Sequence, residues 1–397
     1  MQHSQAHISR WLRDNLKGDP VIWSIVLLLS IFSILAVYSA SSSLAYRQMQ
    51  GNTEYYLFKH SSLIFLSLVA MWVTHQVDYR YYAGSSKLAL WASVPLLLLT
   101  WRYGLTVNEA SRWLSIPIVN KAFQPSDLAQ LALIASLASM LSMRQGNMDG
   151  NTLEAIFPML AWCSIISGLI ALSNFSGAFI LWLTCMLLMY IGRVPIQYLV
   201  MLALVSVLSG GIAISMGQRG ETVLSRLQRF TQEDLPFQTE QAYIAIASGG
   251  LYGKGPGNSH QRNFLPHPYS DFIYAILVEE YGILGGIAVV MLYLALLYRS
   301  VRIVAYSDRT YGGLLAVGLS FSLVIQAMVH IGVSVGLGPV TGLPLPFVSM
   351  GGTSLLFTGI ALGIILSVSR GDIDETIDEL QDPSSSRRNT YRPAKRQ

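Results

Sequence analysis

The stretch TYGGLLAVGLSFSLVIQAMVHIGVSVGLGPVTGLPLPFVSMGGTSLLFTGIALGIILSVS, residues 310–369, contains no Asp, Glu, Lys or Arg. A helix crossing about 30 Å of hydrocarbon needs about 20 mainly apolar residues, so this stretch holds two crossings. Gly338-Pro339 and Gly342-Leu-Pro-Leu-Pro346 interrupt it, because proline removes a backbone donor and clashes inside a helix. The interruption is expected to be a loop between two spans that dips into the protein. Irregular backbone at membrane depth is tolerated only against protein or a water-filled cavity.

Outward from this stretch the same pattern recurs. Of 397 residues, 52% are hydrophobic and 12% charged, and the mean hydropathy is +0.46. A soluble domain is about 25% charged, so the chain lacks the charge to cover several soluble domains. It is expected to be an all-α integral membrane protein. Ten candidate spans can be marked: 21–40, 57–76, 86–103, 125–143, 155–173, 176–192, 194–216, 271–298, 311–335 and 350–369. No charge lies between Glu154 and Arg193, which places two spans there around a tight turn at Ser173–Gly177. Cys163 and Cys185 both sit in apolar runs, which excludes a disulfide framework or a Cys-ligated zinc site. A net charge of +4 is too small to point to nucleic acid.

An even number of spans puts both termini on one side. Most of the 26 basic residues then fall on that side, which favours cytoplasmic termini. The leader covers 1–20, the membrane domain 21–370 and the tail 371–397, the last acidic, then Ser-rich, then basic. Such a tail is disordered by composition. Residues 21–37 form a longer apolar run than a signal peptide uses, so an uncleaved first span is expected. The outward loops 104–124 and 217–270 are unusually basic, with Arg112, Lys121, Arg219, Arg226, Arg229, Lys254 and Arg262. That suggests something anionic is handled there.

Ionisable residues in or beside spans are functional candidates by default, since burying them in lipid is costly. The densest group is Leu265-Pro-His-Pro-Tyr-Ser-Asp271-Phe-Ile-Tyr-Ala-Ile-Leu-Val-Glu279-Glu280-Tyr-Gly282. If 271–282 is one helix, Glu279 lies about 80° around the axis and about 12 Å deeper than Asp271, and the two face one cavity. The plainer reading makes Ser270 or Asp271 a helix cap, which leaves Glu279 and Glu280 unexplained. Upstream, Gly249-Gly-Leu-Tyr-Gly-Lys254-Gly-Pro-Gly257 is a Gly-rich basic turn. It is not a Walker loop: Ser248 replaces the first Gly, and Gly255 stands where Ser or Thr would bind magnesium. Its amides and Lys254 suit a phosphate, and a simple flexible turn fits equally well. A further group is Asn108-Glu-Ala-Ser-Arg112-Trp-Leu-Ser-Ile-Pro117, then Lys121-Ala-Phe-Gln124-Pro-Ser-Asp127. It reads either as an amphipathic segment at the outer interface or as an Arg112 and Lys121 clamp on a lipid pyrophosphate. His330 reads as an interior histidine, and no His/Asp/Glu spacing predicts a metal.

Together these stretches resemble the SEDS family (shape, elongation, division and sporulation proteins; FtsW, RodA and SpoVE). The resemblance rests on Ala110-Ser-Arg-Trp113, Gln124-Pro-Ser-Asp127, Gly249–Gly257, Leu265–Gly282 and His330–Ser354, in order, and covers roughly residues 20–370. It implies a peptidoglycan glycosyltransferase that polymerises lipid II at the outer face of the bacterial cytoplasmic membrane. Asp271 takes the family's essential acidic position. By implication it is the base that activates the acceptor 4-hydroxyl, with inversion at the donor carbon. Arg112, Lys121 and Lys254, or a divalent cation such as magnesium or manganese, would offset the departing pyrophosphate. Gln124, Glu279 and Glu280 fall in the same motifs as expected substrate-binding residues. The implied partners are a class B penicillin-binding protein transpeptidase and other division proteins. The polar leader, the tail and the Ser-Asp-Phe variant match the division type rather than the elongation type. A lipid II flippase is the competing reading, although no internal repeat links residues 20–190 with 200–370. The chain departs from the family pattern at His267 and Asp127, where Glu is expected, at Gln130, where Lys is expected, and at His330 and Met350, which replace Asn and Tyr.

Overall fold

The computed structural model describes residues 16–48, 52–107, 110–116, 121–146, 152–216, 236–306 and 310–381. Lipid offers no partner to a backbone amide, so a spanning chain must satisfy its own hydrogen bonds. The chain accordingly folds almost entirely as helices. These are α1 (Pro20–Gln48), α2 (Thr53–Gln76), α3 (Arg80–Tyr103), α4 (Pro125–Gly146), α5 (Thr152–Ala171), α6 (Phe175–Ile191), α7 (Ile196–Met216), α8 (Phe237–Gly249), α9 (Ile273–Tyr306), α10 (Thr310–Ser334) and α11 (Gly352–Gln381). Eight helices among the described residues are long and apolar enough to cross a membrane. Two shorter apolar helices, Phe175–Ile191 and Ile196–Val207, stand where the sixth and seventh spans are expected. Between α5 and α6, Asn174 closes the expected tight turn by accepting a hydrogen bond from the Gly177 amide at 3.3 Å.

α10 is buried along most of its length, whereas Phe58 and Phe65 of α2 point outward. The hydrophobic core therefore forms around α10, and the peripheral helices turn apolar faces to lipid. α2 and α11 approach closely at Gly359 and Gly363, one helical turn apart. A side chain at either would collide with Ser67, or with Thr74 and Met71. Small residues at this spacing let helix backbones touch and gain dispersion contacts. Ser67 Oγ also donates to the Leu355 carbonyl at 2.6 Å. At the end where α1 begins, Asp19 accepts from the Val21 amide at 2.8 Å and pairs with Arg299 at 2.6 Å.

Three local expectations change. The segment 104–124 folds as three short antiparallel strands, β1 (Leu105–Val107), β2 (Ala110–Ile116) and β3 (Lys121–Phe123), in the order β1-β2-β3. Residues 371–381, expected to be disordered tail, continue α11 to Gln381, where Ile373, Ile377 and Leu380 keep a helical apolar spacing. The eighth span begins at Ile273 rather than Asp271, and is broken at Gly282 (φ 72, ψ −176). Of the long outward loop, residues 217–235 lie outside the described residues, as does the tail beyond Gln381.

Candidate active site

The Gly/Pro segment between α10 and α11 is non-helical, as its sequence requires, so its backbone groups need partners from elsewhere. They find them all around. Gln326 Nε2 donates to the Pro344 carbonyl at 2.8 Å and Tyr293 Oη to that of Pro346 at 2.5 Å. His330 Nδ1 lies 2.8 Å from the Leu343 carbonyl, which makes Nδ1 the protonated ring nitrogen. Ser33 Oγ donates to Val348 at 2.8 Å and meets His60 Nε2 at 2.8 Å. Side chains from α1, α9 and α10 thus hold an irregular segment in a fixed shape.

That segment carries the Asp271 turn. The Met350 amide donates to the Tyr269 carbonyl at 2.9 Å, and Ser349 Oγ donates to the Ser270 carbonyl at 2.8 Å. The amides of Ser270 and Asp271 both donate to His267 O, at 3.1 and 3.2 Å. His267 itself takes φ 110, a costly backbone for a residue with a Cβ. Its ring Nδ1 lies 3.2 Å from Tyr269 Oη. Burial first, and then Tyr56 and the Asp271 carboxylate, push the Tyr269 phenol above its usual pKa. It stays protonated beside the acid.

Asp271 is half-buried, and its carboxylate accepts one side-chain hydrogen bond, from Ser270 Oγ at 3.1 Å. It accepts none from a backbone amide among the described residues, so it does not cap α9. His330 lies within electrostatic reach of this carboxylate.

Glu279 and Glu280 are occupied differently. Glu279, wholly buried, pairs with Lys254 Nζ at 2.7 Å, where the lysine is 28% exposed. It also accepts from Ser259 Oγ at 2.5 Å, the His260 amide at 3.0 Å and the Gln261 amide at 3.3 Å. Glu280 accepts from Ser39 Oγ and from the Ser259 amide, and Arg262 Nη1 reaches the same Ser39 hydroxyl at 2.9 Å. Both acids therefore anchor the segment 254–262 to α9 and α1 instead of sharing a cavity with Asp271.

The Gly-rich turn is likewise committed. At the Gly282 break α9 frees two carbonyls and two amides. The Lys254 and Gly255 amides donate to Glu279 O and Glu280 O at 3.0 and 2.9 Å, while Gly250 O and Leu251 O accept from the Ile283 and Leu284 amides at 2.9 and 3.3 Å. A Cβ at Gly253 or Gly282 would collide with the Glu280 or Leu251 carbonyl, and one at Gly249 with the Val278 carbonyl. The glycines permit a backbone splice, and Lys254 Nζ is spent on Glu279 and on Ser248 Oγ at 2.9 Å.

Arg112 lies on β2 and Lys121 on β3, where Lys121 is the Cα partner of Ile116. The strand pair rests on the start of α11. Phe123 stacks near Phe357 at 5.9 Å, and a Cβ on Gly352 would lie 3.7 Å from the Trp113 ring. Gln124 turns inward, its amide donating to Thr353 Oγ1 at 3.3 Å and its Nε2 to Asp127 Oδ1 at 2.8 Å. Beneath it α4, α10 and α11 border a cavity of about 50 Å³ whose lining mixes Asp127, Gln130, Ser322 and Ser354 with apolar side chains, room for a few waters. Gln130 Nε2 donates to Ser322 Oγ, and Asp127 Oδ2 is buried without a partner among the described residues.

The site thus joins three sequence-distant stretches around one irregular segment. Sequence reasoning alone does not single out Ser349 or Ser39 as members. Ser349 stands inside a quoted motif, and its proximity to prolines at membrane depth was the available signal. No group of three His, Cys, Asp or Glu residues converges among the described residues.

These features define a many-helix membrane protein with an acid at the mouth of a span. The FtsW/RodA/SpoVE family model, described as cell cycle protein, matches residues 19–373, and the chain belongs to this family. It is 33% identical over 360 residues to the stage V sporulation protein E of Bacillus subtilis, covering 89% of this chain and 97% of that protein. It is 31% identical to the probable peptidoglycan glycosyltransferase FtsW of Geobacter sp. (strain M18), with coverage of 88% and 96%. Among solved structures, the rod shape determining protein RodA of Thermus thermophilus superposes with a TM-score of 0.66 at 24% identity, covering 91% of this chain and 98% of that one. A chain of a peptidoglycan synthase complex gives a TM-score of 0.69 at 23% identity, with coverage of 89% and 98%. Both likenesses concern the fold.

Proposed function

We propose that the protein is a peptidoglycan glycosyltransferase of the division type, polymerising lipid II at the outer face of the bacterial cytoplasmic membrane with both termini in the cytoplasm. The observation that carries this reading is the contrast among its carboxylates. Glu279 is absorbed by four donors, whereas Asp271 holds one hydroxyl contact at the mouth of α9. Relatives named as peptidoglycan glycosyltransferases support it.

Asp271 takes the proton of the acceptor 4-hydroxyl as that oxygen attacks the donor anomeric carbon. The bond to undecaprenyl pyrophosphate breaks, and the configuration inverts in a single displacement. Arg112 and Lys121, on the strands above the irregular segment, stabilise the charge that develops on the leaving pyrophosphate. Gln124 orders the start of α4 beneath them. A class B penicillin-binding protein transpeptidase crosslinks the product as partner, in line with the synthase complex whose chain shares the fold.

The test is glycan polymer formation from lipid II by purified protein in detergent, with Asp271→Ala as control and with the transpeptidase present or absent. Polymer from the wild type alone is expected. Wild-type-level polymer from Asp271→Ala overturns the role of Asp271. No polymer under any condition, with lipid II transfer across vesicles instead, replaces the enzyme by a flippase.

A further inference from the structure

On the proposed cytoplasmic face, at the end of α9 opposite Asp271, the ends of α3, α4 and α10 border an open pocket of about 420 Å³. Arg80 and Lys87 of α3 supply its charge, and Ser139 of α4 and Tyr311 of α10 its hydroxyls. Arg80 lies 3.8 Å from Asp78, with the two side chains 49% and 40% exposed, and its guanidinium lies 5.9 Å from the centre of the Tyr79 ring; an ion pair this exposed contributes little. Lys87 is exposed, with no ion pair or hydrogen bond among the described residues. The Tyr311 ring stacks on Tyr79 at 6.3 Å, and its hydroxyl is buried without a partner among the described residues. A side chain at Gly84 would meet nothing within 4 Å, so glycine leaves the pocket open.

The surroundings are apolar. Leu88 and Trp91 of α3 are 77% and 68% exposed, and in a membrane they face acyl chains. A cationic mouth above an apolar track matches a phosphate carried on two fatty chains. Two cations, Arg80 and Lys87, against one acid, Asp78, disfavour a headgroup bearing its own ammonium.

We infer that this pocket binds the phosphate of an anionic phospholipid whose chains lie along α3 over Leu88 and Trp91. Basic pockets between spanning helices recognise such headgroups through charge and hydrogen bonding together. The site stands apart from the glycan chemistry and does not require it.

The experiment is lipid retention by the full-length protein in detergent, read by native mass spectrometry. Phosphatidylglycerol, phosphatidylcholine and inorganic phosphate are the probes. Phosphatidylglycerol is expected to be retained over phosphatidylcholine, with a loss of about fivefold for each of Arg80→Ala and Lys87→Ala. Gly84→Leu keeps both charges, favours the helix and fills the pocket. It is expected to lose the lipid without a fall in melting temperature. Equal retention of both lipids, or wild-type retention by all three variants, overturns the inference. Displacement of the lipid by millimolar inorganic phosphate also overturns it, by making the ligand a soluble phosphate.

Discussion

The Ser349 hydroxyl donates to the Ser270 carbonyl and accepts from the Leu345 amide, each at 2.8 Å. One side chain thus binds the Gly/Pro segment to itself and to the turn that aims Asp271. Ser349→Ala removes both bonds from a buried site, at about 1 kcal/mol each. A three- to tenfold fall in polymerisation rate is expected, as an order of magnitude, because misplacing a catalytic group is costly. Ser349→Thr should recover most of the rate. A rate unchanged in Ser349→Ala removes the positioning role.

Glu279 and Lys254 form a pair with one member wholly buried. Glu279→Ala leaves the lysine and three further donors without their acceptor. A loss of about 2–4 kcal/mol is expected, toward the lower end because Lys254 reaches water. The double variant with Lys254→Ala should be more stable than the sum of the two losses. Thermal midpoints in detergent decide this, and strict additivity would mean that the pair is not coupled.

At Gly282 the left-handed backbone and the Leu251 carbonyl both exclude a side chain. Gly282→Ala is expected to cost about 1–3 kcal/mol from the backbone alone, with further loss from the clash. A variant that melts like the wild type would show that α9 can straighten.

Gly363 lets α11 touch α2 at Met71 and Thr74. Gly363→Leu is expected to lower the melting temperature and favour aggregation in detergent, because close helix packing is the main attraction available in lipid. Gly168, where a side chain meets nothing within 4 Å, is the control: Gly168→Leu should be neutral. Equal behaviour of the two variants refutes close packing at Gly363.

Much of this architecture is legible in the residues themselves. Charge-free runs such as 310–369 mark spans because lipid penalises charge so heavily, and Gly338–Pro346 marks a break because proline cannot continue a helix. The strands at 105–123 escaped, since β1 and β3 have three residues each, too few to show a period-2 pattern. The helical spacing from Asp271 to Glu279 misled for a different reason. It assumed a helix from Asp271 onward, while the helix starts at Ile273 after a turn held by His267, Ser349 and Met350. The partners of Glu279 and of Ser349 are equally distant in the chain, and no local pattern encodes them.

The splice at Gly282 fixes a length. Outward-facing glycine-rich loops commonly accept extra residues, because few of their backbone groups are bonded. Here Gly250 and Leu251 accept on one side, while Lys254 and Gly255 donate on the other, which leaves only Tyr252 and Gly253 between them. One inserted residue would displace every one of these bonds from its partner. The segment that looks most open to insertion is therefore metered residue by residue, like a strand in the middle of a sheet.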